Sequence, residues 1–267
     1  MNRNAILEKY NKNEEHILVS KVLDKIELRN RLNKIANTDF LDLYQKRIVQ
    51  DILNTKKQKL YTFEGGFKEA ERTMLILYPE KLKFLKNNNY INNIMKIIRI
   101  NLPKELYGKY KHKNYLGAIM KLGVKREKIG DIVVDDTGAD IIVNVDIIKY
   151  LEQNILNLTR FSKSKIEILE LDNLREIQQR EQEQEIIVSS LRLDNIVSEI
   201  LKISRNEANK IIMSERVFIN FENELRNSRI LKENDIITIR GKGRFKFLEI
   251  VGKTRKENFI LKLSKKI

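Results

Sequence analysis

The chain has 267 residues, 52 lysines and arginines against 37 aspartates and glutamates, a formal charge of +15 and no cysteine. That length accommodates two or three small domains, the charge suits a polyanionic partner, and the missing cysteines exclude disulfides and thiolate metal sites. Apolar runs stop after about six residues, far short of the roughly 20 that span a bilayer, and Met1 to Tyr10 lack the apolar core of a signal peptide. A soluble, cytoplasmic chain with no membrane partner is expected.

Residues 16–55 read as two helices, because Leu18, Val22 and Ile26, and then Tyr44, Ile48 and Ile52, recur at i+4 spacing. Thr38 stands where an N-cap for the second helix would fall. Tyr61-Thr62-Phe63 and Met74–Tyr78 read as strands, Gly65-Gly66 turns the chain between them, and Pro79 ends the block. Residues 1–90 are thus expected to form a helical α+β region.

Residues 91–172 alternate differently. A strand at Ile94–Leu102, a helix at Tyr115–Leu122, strands at Ile129–Val134 and Asp140–Val145, a helix at Ile147–Leu156 and a strand at Lys165–Leu169 make the βαββαβ order of ferredoxin-like and RNA-recognition folds. Asp135-Asp136-Thr137-Gly138 is the turn of the central hairpin, and Gly130-Asp131 precedes its first strand. RNA-recognition modules stack bases on aromatics of the first and third strands. Isoleucine, valine and asparagine stand there instead, which favours a scaffold or protein-docking role for this block.

Residues 173–186 lie in a Gln/Glu/Arg-rich stretch with little apolar periodicity and read as a polar linker. From Ile187 to Ile267 the chain carries 18 basic and 10 acidic residues, and from Arg240 to Lys266 ten basic against two acidic. Helices at Leu191–Leu201 and Arg205–Met213 precede strands at Val217–Asn220, Ile236–Arg240, Phe245–Val251 and Phe259–Leu263. Ser204-Arg205-Asn206-Glu207 is a capping box that places Arg205 in the first helical turn. A cation there opposes the helix dipole by roughly 0.3–1 kcal/mol, and an anionic partner would account for it. Arg192 starts the neighbouring helix, so a helix hairpin brings both guanidiniums to one rim, beside free backbone N–H groups. The bland alternative pairs Arg192 with Asp194 and leaves Arg205 solvated.

Gly241-Lys242-Gly243-Arg244 lacks the spacing and the Lys-Ser/Thr ending of a phosphate-binding P-loop and reads as a basic hairpin turn. His16 and His112 have no companion ligands for a transition metal, and Asp135-Asp136 lacks the further ligands of a calcium loop. Neither a catalytic triad nor a glycine-rich dinucleotide turn is present, so no cofactor and no catalysis are expected.

Ser189–Phe245 resembles an S4 RNA-binding domain of the αL type, with Arg192-Leu193-Asp194 on the first helix, Ser204-Arg205 and Ala208 on the second, then Val217-Phe218-Ile219-Asn220 and Asn234-Asp235-Ile236. Upstream, Thr38-Asp39-Phe40-Leu41-Asp42, Glu64-Gly65-Gly66-Phe67, Ala70-Glu71-Arg72 and the run from His112 to Ile132 resemble the YlmH family, as does Arg240-Gly241-Lys242-Gly243-Arg244-Phe245. S4 domains commonly have glycine where Glu215 and Phe221 stand, and the YlmH family commonly has proline in place of Leu43 and Arg-Asp in place of Lys113-Asn114. The resemblance implies an α+β, non-enzymatic, monomeric, cytoplasmic bacterial protein that binds 23S rRNA of the large ribosomal subunit and tRNA. It also implies a role in rescuing stalled nascent chains, with genetic links to cell division. The RNA contacts it implies are Arg192, Asp194, Ser204, Arg205, Asn206, Asn209, Lys210, Asn220, Arg240, Lys242 and Arg244. Two rivals stand beside it. One is an RNA-modifying enzyme, a pseudouridine synthase or methyltransferase clamped by the same domain; Arg192-Leu193-Asp194 superficially echoes such a synthase. The other is a nucleic-acid-binding division scaffold.

Overall fold

The computed structural model describes residues 2–10, 12–87, 90–176 and 181–266. They divide into two compact units, Met1–Ile177 and Gln178–Ile267.

The first unit opens with helices α1 (Arg3–Leu7) and α2 (Asn13–Leu32), strand β1 (Ala36–Leu41), helix α3 (Leu43–Thr55) and strands β2 (Tyr61–Glu64) and β3 (Thr73–Leu77). The strands form an antiparallel sheet in the order β1-β3-β2. The i+4 series place Val22 and Ile26 of α2, and Ile48 and Ile52 of α3, in one core with Leu41, Leu75 and Leu77. Thr38 is not the cap of α3. It is buried within β1, at a register shift against β3, where its hydroxyl accepts the Leu75 N–H at 2.9 Å. The shift leaves a backbone donor that the hydroxyl satisfies. Asp42 caps α3 instead: its carboxylate accepts the Gln45 N–H at 2.8 Å and the Gln45 side chain accepts the Asp42 N–H at 3.0 Å. Burial alternates along Ala36–Phe40 in the folded chain, and pairing with β3 decides between the two readings.

The chain continues through β4 (Met95–Asn101), α4 (His112–Met120), β5 (Ile129–Asp135), β6 (Gly138–Asn144), α5 (Ile148–Asn154) and β7 (Lys165–Leu169). The strand order β5-β6-β4-β7, antiparallel throughout, is the ferredoxin-like arrangement expected from the βαββαβ pattern. Asp135 makes the hairpin turn, accepting the Thr137 and Gly138 N–H groups at 2.7 and 2.9 Å. One sheet face packs Ile98, Ile100, Ile141 and Val143 against α4 and α5.

The other face is the one on which RNA-recognition modules stack bases, and it is occupied. Met95, Ile97 and Ile142 pack with Phe40, Met74, Ile76 and Tyr78 of the N-terminal sheet. Beyond them Asp140, fully buried, accepts two hydrogen bonds from Arg99 at 2.8 and 2.7 Å and one from Arg175 Nε at 2.9 Å. Gly130 permits the contact between the sheets, since a Cβ there would lie 2.8 Å from the Phe40 ring. The segments 1–90 and 91–172 therefore share a core within one compact unit. Asp131, expected just before the first hairpin strand, lies within β5 and accepts the Glu71 N–H at 2.6 Å.

The second unit comprises β8 (Glu181–Val188), α6 (Leu193–Leu201), α7 (Arg205–Met213), β9 (Val217–Ile219), β10 (Glu222–Asn223), β11 (Ile236–Ile239), β12 (Gly243–Lys253) and β13 (Phe259–Lys266). Its sheet runs β10-β9-β11-β12-β13-β8, and its core joins both helices to the sheet through Leu193, Ile196, Val197, Ala208, Ile212, Val217, Ile237 and Leu261. Residues 181–186, expected in a linker, form most of edge strand β8; residues 177–180 of that stretch lie outside the described residues. Ile186 and Val188 turn inward opposite Leu261 and Phe259, while Glu183 pairs with Lys262 at 2.9 Å on the outer face. A strand with only its last residues apolar, its other positions alternating glutamate and glutamine at a sheet edge, reads in sequence as a solvated segment.

Candidate nucleic-acid interface

The start of α6 and the start of α7 meet at one buried carboxylate. Asp194, 1% exposed, sits in the first turn of α6, and its Oδ1 accepts the Asn195 N–H at 2.9 Å. Arg192, the residue preceding α6, donates to it through Nε at 3.1 Å and Nη2 at 2.9 Å. Arg205, the first residue of α7, donates through Nε at 3.0 Å and Nη2 at 2.8 Å. Burial pushes the Asp194 carboxyl up, but the hydrogen bonds and charges of Arg192 and Arg205 outweigh it and hold the group below the usual carboxylate range. The two guanidiniums keep about a third and a half of their side-chain surface in water, 36% and 49%. The net result is a single excess positive charge, spread over two oriented forks that a phosphate can approach from outside.

This geometry revises three expectations. Arg205 is not a cation left alone against its helix dipole, because Asp194 of the preceding helix compensates it. Asp194, expected as a contact, is buried and accepts from both arginines, so its place in the site is to aim them. Ser204 is consumed locally: its hydroxyl accepts the Glu207 N–H at 3.2 Å, and Glu207 accepts the Ser204 N–H at 2.9 Å, closing the expected capping box. Asn206 and Lys210 are exposed at i+4 spacing on α7, and half-buried Asn209 lies one turn beyond Arg205, so these three continue the same helix surface.

Asn220 leaves the candidate set as well. Its side chain donates to Asp235 at 2.7 Å and accepts the Ile236 N–H at 2.9 Å, locking the turn after β9. That turn is left-handed at Asn220 (φ 52°) and Phe221 (φ 72°), and the chain after α7 is left-handed at Glu215 (φ 58°). Glu215 and Phe221 are the positions where the resemblance to S4 domains leads one to expect glycine. The backbone keeps a glycine-type conformation there without the glycines, at a cost of about 1–2 kcal/mol each.

Arg240, Lys242 and Arg244 lie on or beside the β11–β12 hairpin turn, where Gly241 (φ +79°) and Gly243 (φ +119°) supply the left-handed geometry. The Arg240 guanidinium lies over the Phe218 ring at 4.7 Å and that of Arg244 over Phe221 at 5.3 Å. Arg216 braces the turn by donating to the Arg240 carbonyl at 3.0 Å. Phe218, Phe221 and Arg216 were missed by sequence reasoning; the signal was the pair of aromatics Phe218 and Phe221 close to the basic Arg240–Arg244 turn in a strand-rich segment. The hairpin turn adjoins the residues that follow α7, whereas Arg205 begins that helix. Nine helical residues separate them by roughly 13 Å. Arg192 and Arg205 thus share one rim as expected, and the hairpin cations form a second group at the other end of α7.

Among the described residues no cluster of histidine and acidic side chains could hold a metal, and no helix is long and apolar enough to cross a membrane. His112 is the first residue of α4. Burial, then the charge of Arg126, lowers its pKa.

A helix hairpin whose first turns present carboxylate-anchored arginines, set on a small antiparallel sheet with a basic hairpin, defines an S4-domain RNA-binding protein. Residues 191–237 match the S4 domain model, and residues 86–175 match the model described as "Putative RNA-binding domain in YlmH". The chain is thus similar to YlmH proteins over these two regions. It is 27% identical over 247 residues to the "Ribosome-associated protein quality control protein P2" of Bacillus subtilis (strain 168), covering 92% of this chain and 93% of that protein. A solved structure, "Cell division protein ylmH from Streptococcus pneumoniae", aligns with 62% of this chain and 98% of its own at 17% identity, with a TM-score of 0.49.

Proposed function

We propose that this protein is a non-enzymatic, cytoplasmic RNA-binding factor of the large ribosomal subunit that contacts 23S rRNA and tRNA as a monomer during quality control of stalled nascent chains. The observation that carries the reading is the Asp194 anchor, which holds Arg192 and Arg205 half-exposed at the meeting of two helix starts. The name of the Bacillus subtilis relative, matched along nearly its whole length, supports the ribosomal setting. Candidate contacts are Arg192, Arg205, Asn206, Asn209 and Lys210 in one group and Arg240, Lys242 and Arg244 in the other.

The middle block takes part through charge rather than stacking. Its sheet face is filled by the N-terminal sheet and by the Asp140 ion pairs, so RNA binding by residues 86–175 would use backbone contacts elsewhere on its surface. The Asp194 carboxylate argues against the synthase rival. It is buried and accepts from two guanidiniums and a backbone N–H, which leaves it no freedom to act as a nucleophile.

Sedimentation of lysate through a sucrose gradient tests the proposal, with crosslinking to identify the RNA. The protein is expected with large subunits, crosslinked to 23S rRNA and tRNA. Recovery only at the top of the gradient, or a modified nucleotide appearing in deproteinised rRNA after incubation with the protein, would overturn it.

A further inference from the structure

A second buried carboxylate lies beside the first. Glu224, 5% exposed, accepts from Arg226 Nε and Nη2 at 2.9 Å each and from Arg229 Nη1 at 2.6 Å. It also accepts the Arg226 N–H at 3.0 Å, so one side chain fixes both the loop backbone and two guanidiniums. The loop is tied directly to the start of α6. The Leu193 N–H donates to the Arg229 carbonyl at 2.8 Å, the Asp194 N–H to the Asn227 carbonyl at 3.1 Å, and the Leu231 N–H to the Leu191 carbonyl at 2.9 Å. These three bonds lay the loop antiparallel to residues 191–194, the segment that carries Arg192 and Asp194.

The geometry points to a further RNA-binding subsite: Arg226 and Arg229, aimed by Glu224, extend the Arg192–Arg205 group into a four-arginine surface that grips successive phosphates of one RNA backbone. The inference rests on the RNA-binding reading above and adds residues that lie outside the expected contact set. Three features carry it. The arrangement repeats that of Asp194, a buried acid orienting two arginines. Four guanidiniums against two carboxylates leave a local excess of two positive charges. Arg226 keeps 75% of its side chain exposed while two of its nitrogens are held, the condition for a pre-oriented fork with its remaining donors in water. The neighbouring Leu225 and Ile230 are also exposed, at 42% and 56%, and offer apolar contact for ribose or base edges.

The test is the affinity of the full-length protein for a fluorescent fragment of large-subunit rRNA at several salt concentrations, with a thermal melt of each variant. Arg226→Ala leaves Glu224 paired to Arg229, so the fold is expected to persist. The salt slope of log affinity should fall by about 0.7–0.9, one phosphate contact, and Arg226→Lys should restore most of that slope. Arg226→Ala/Arg229→Lys reports whether the second guanidinium adds its own contact, and a further loss of affinity supports the four-arginine surface. If Arg205→Ala weakens binding while Arg226→Ala, folded, leaves affinity and slope unchanged, the loop subsite is overturned and the wider reading stands. If the wild-type protein does not bind the RNA, both fall. Equal affinity and slope for a DNA duplex of the same length would overturn the assignment to RNA.

Discussion

Arg205→Ala separates a phosphate contact from a structural ion pair, because the structure bounds both effects. Alanine removes two hydrogen bonds, at 3.0 and 2.8 Å, to the buried Asp194 carboxylate. The guanidinium is half exposed, so the pair is worth about 0.2–1 kcal/mol rather than the value of a fully buried one. Against that loss, removing a cation from the first turn of α7 relieves about 0.3–1 kcal/mol of dipole repulsion. Asp194 also keeps both Arg192 bonds and the Asn195 N–H, so it is not orphaned. The net change therefore lies between about 0.8 kcal/mol of stabilisation and about 0.7 kcal/mol of destabilisation, a melting shift of no more than about 2–4 °C in either direction for a chain of this size. RNA affinity should fall, and the salt slope should drop by about 0.7–0.9. Asp194→Asn is the complementary variant. It strips the shared partner from both arginines, and the 3–5 kcal/mol of a broken buried pair, reduced because both guanidiniums reach water, leaves about 2 kcal/mol. Affinity measured across a salt series, beside a melt, reads all of these together. Unchanged affinity and slope in folded Arg205→Ala would remove Arg205 from the interface, and a melting loss well beyond about 4 °C would make its role structural.

Three further outcomes follow from the same contacts. The hydrogen bonds of Arg226, and next those of Arg229, overcome burial to hold the Glu224 carboxyl down at about 2, against an ordinary value of 4.5. A depressed folded-state pKa contributes stability above the unfolded value that is lost as pH falls, so acid titration from about pH 5 to about 2 should destabilise the wild type, and Glu224→Gln should flatten that limb. Glu215→Gly should raise the melting temperature, by about 0.5–1 kcal/mol in stability, because φ 58° strains any residue with a Cβ while glycine's unfolded-state entropy offsets part of the relief; an unchanged or lower melt refutes the strain argument. Gly130→Ala should lose about 1–3 kcal/mol in chemical denaturation, since the new methyl meets the Phe40 ring at 2.8 Å, and wild-type stability would show that the two sheets separate easily.

Much of this molecule is legible in its sequence, because much of it is dictated by local periodicity. The i+4 series of α2 and α3, the βαββαβ order of the middle block, the Asp135 turn and the Ser204–Glu207 capping box all concern residues within a few positions of one another. The basic C-terminal third and its two helix-start arginines are legible for the same reason. What local pattern could not settle is which partner wins when a residue has two. Thr38 fits a helix cap until β3 presents an unpaired Leu75 N–H, and residues 181–186 look like a solvated linker until β13 arrives with its lysine and leucines. The same holds at the interface. Asp194 is close enough to Arg192 in sequence for the pair to be foreseen, but Arg205 lies eleven residues on, and only the packing of α6 against α7 brings it to the same carboxylate. Asn220 meets Asp235, and Glu224 meets Arg229 beside the start of α6, through the same kind of closure. Sequence determined which charges and faces exist; tertiary packing decided which charges neutralise one another and which remain half in water for a phosphate, because Coulomb and hydrogen-bond energies depend on distances that only the folded chain sets.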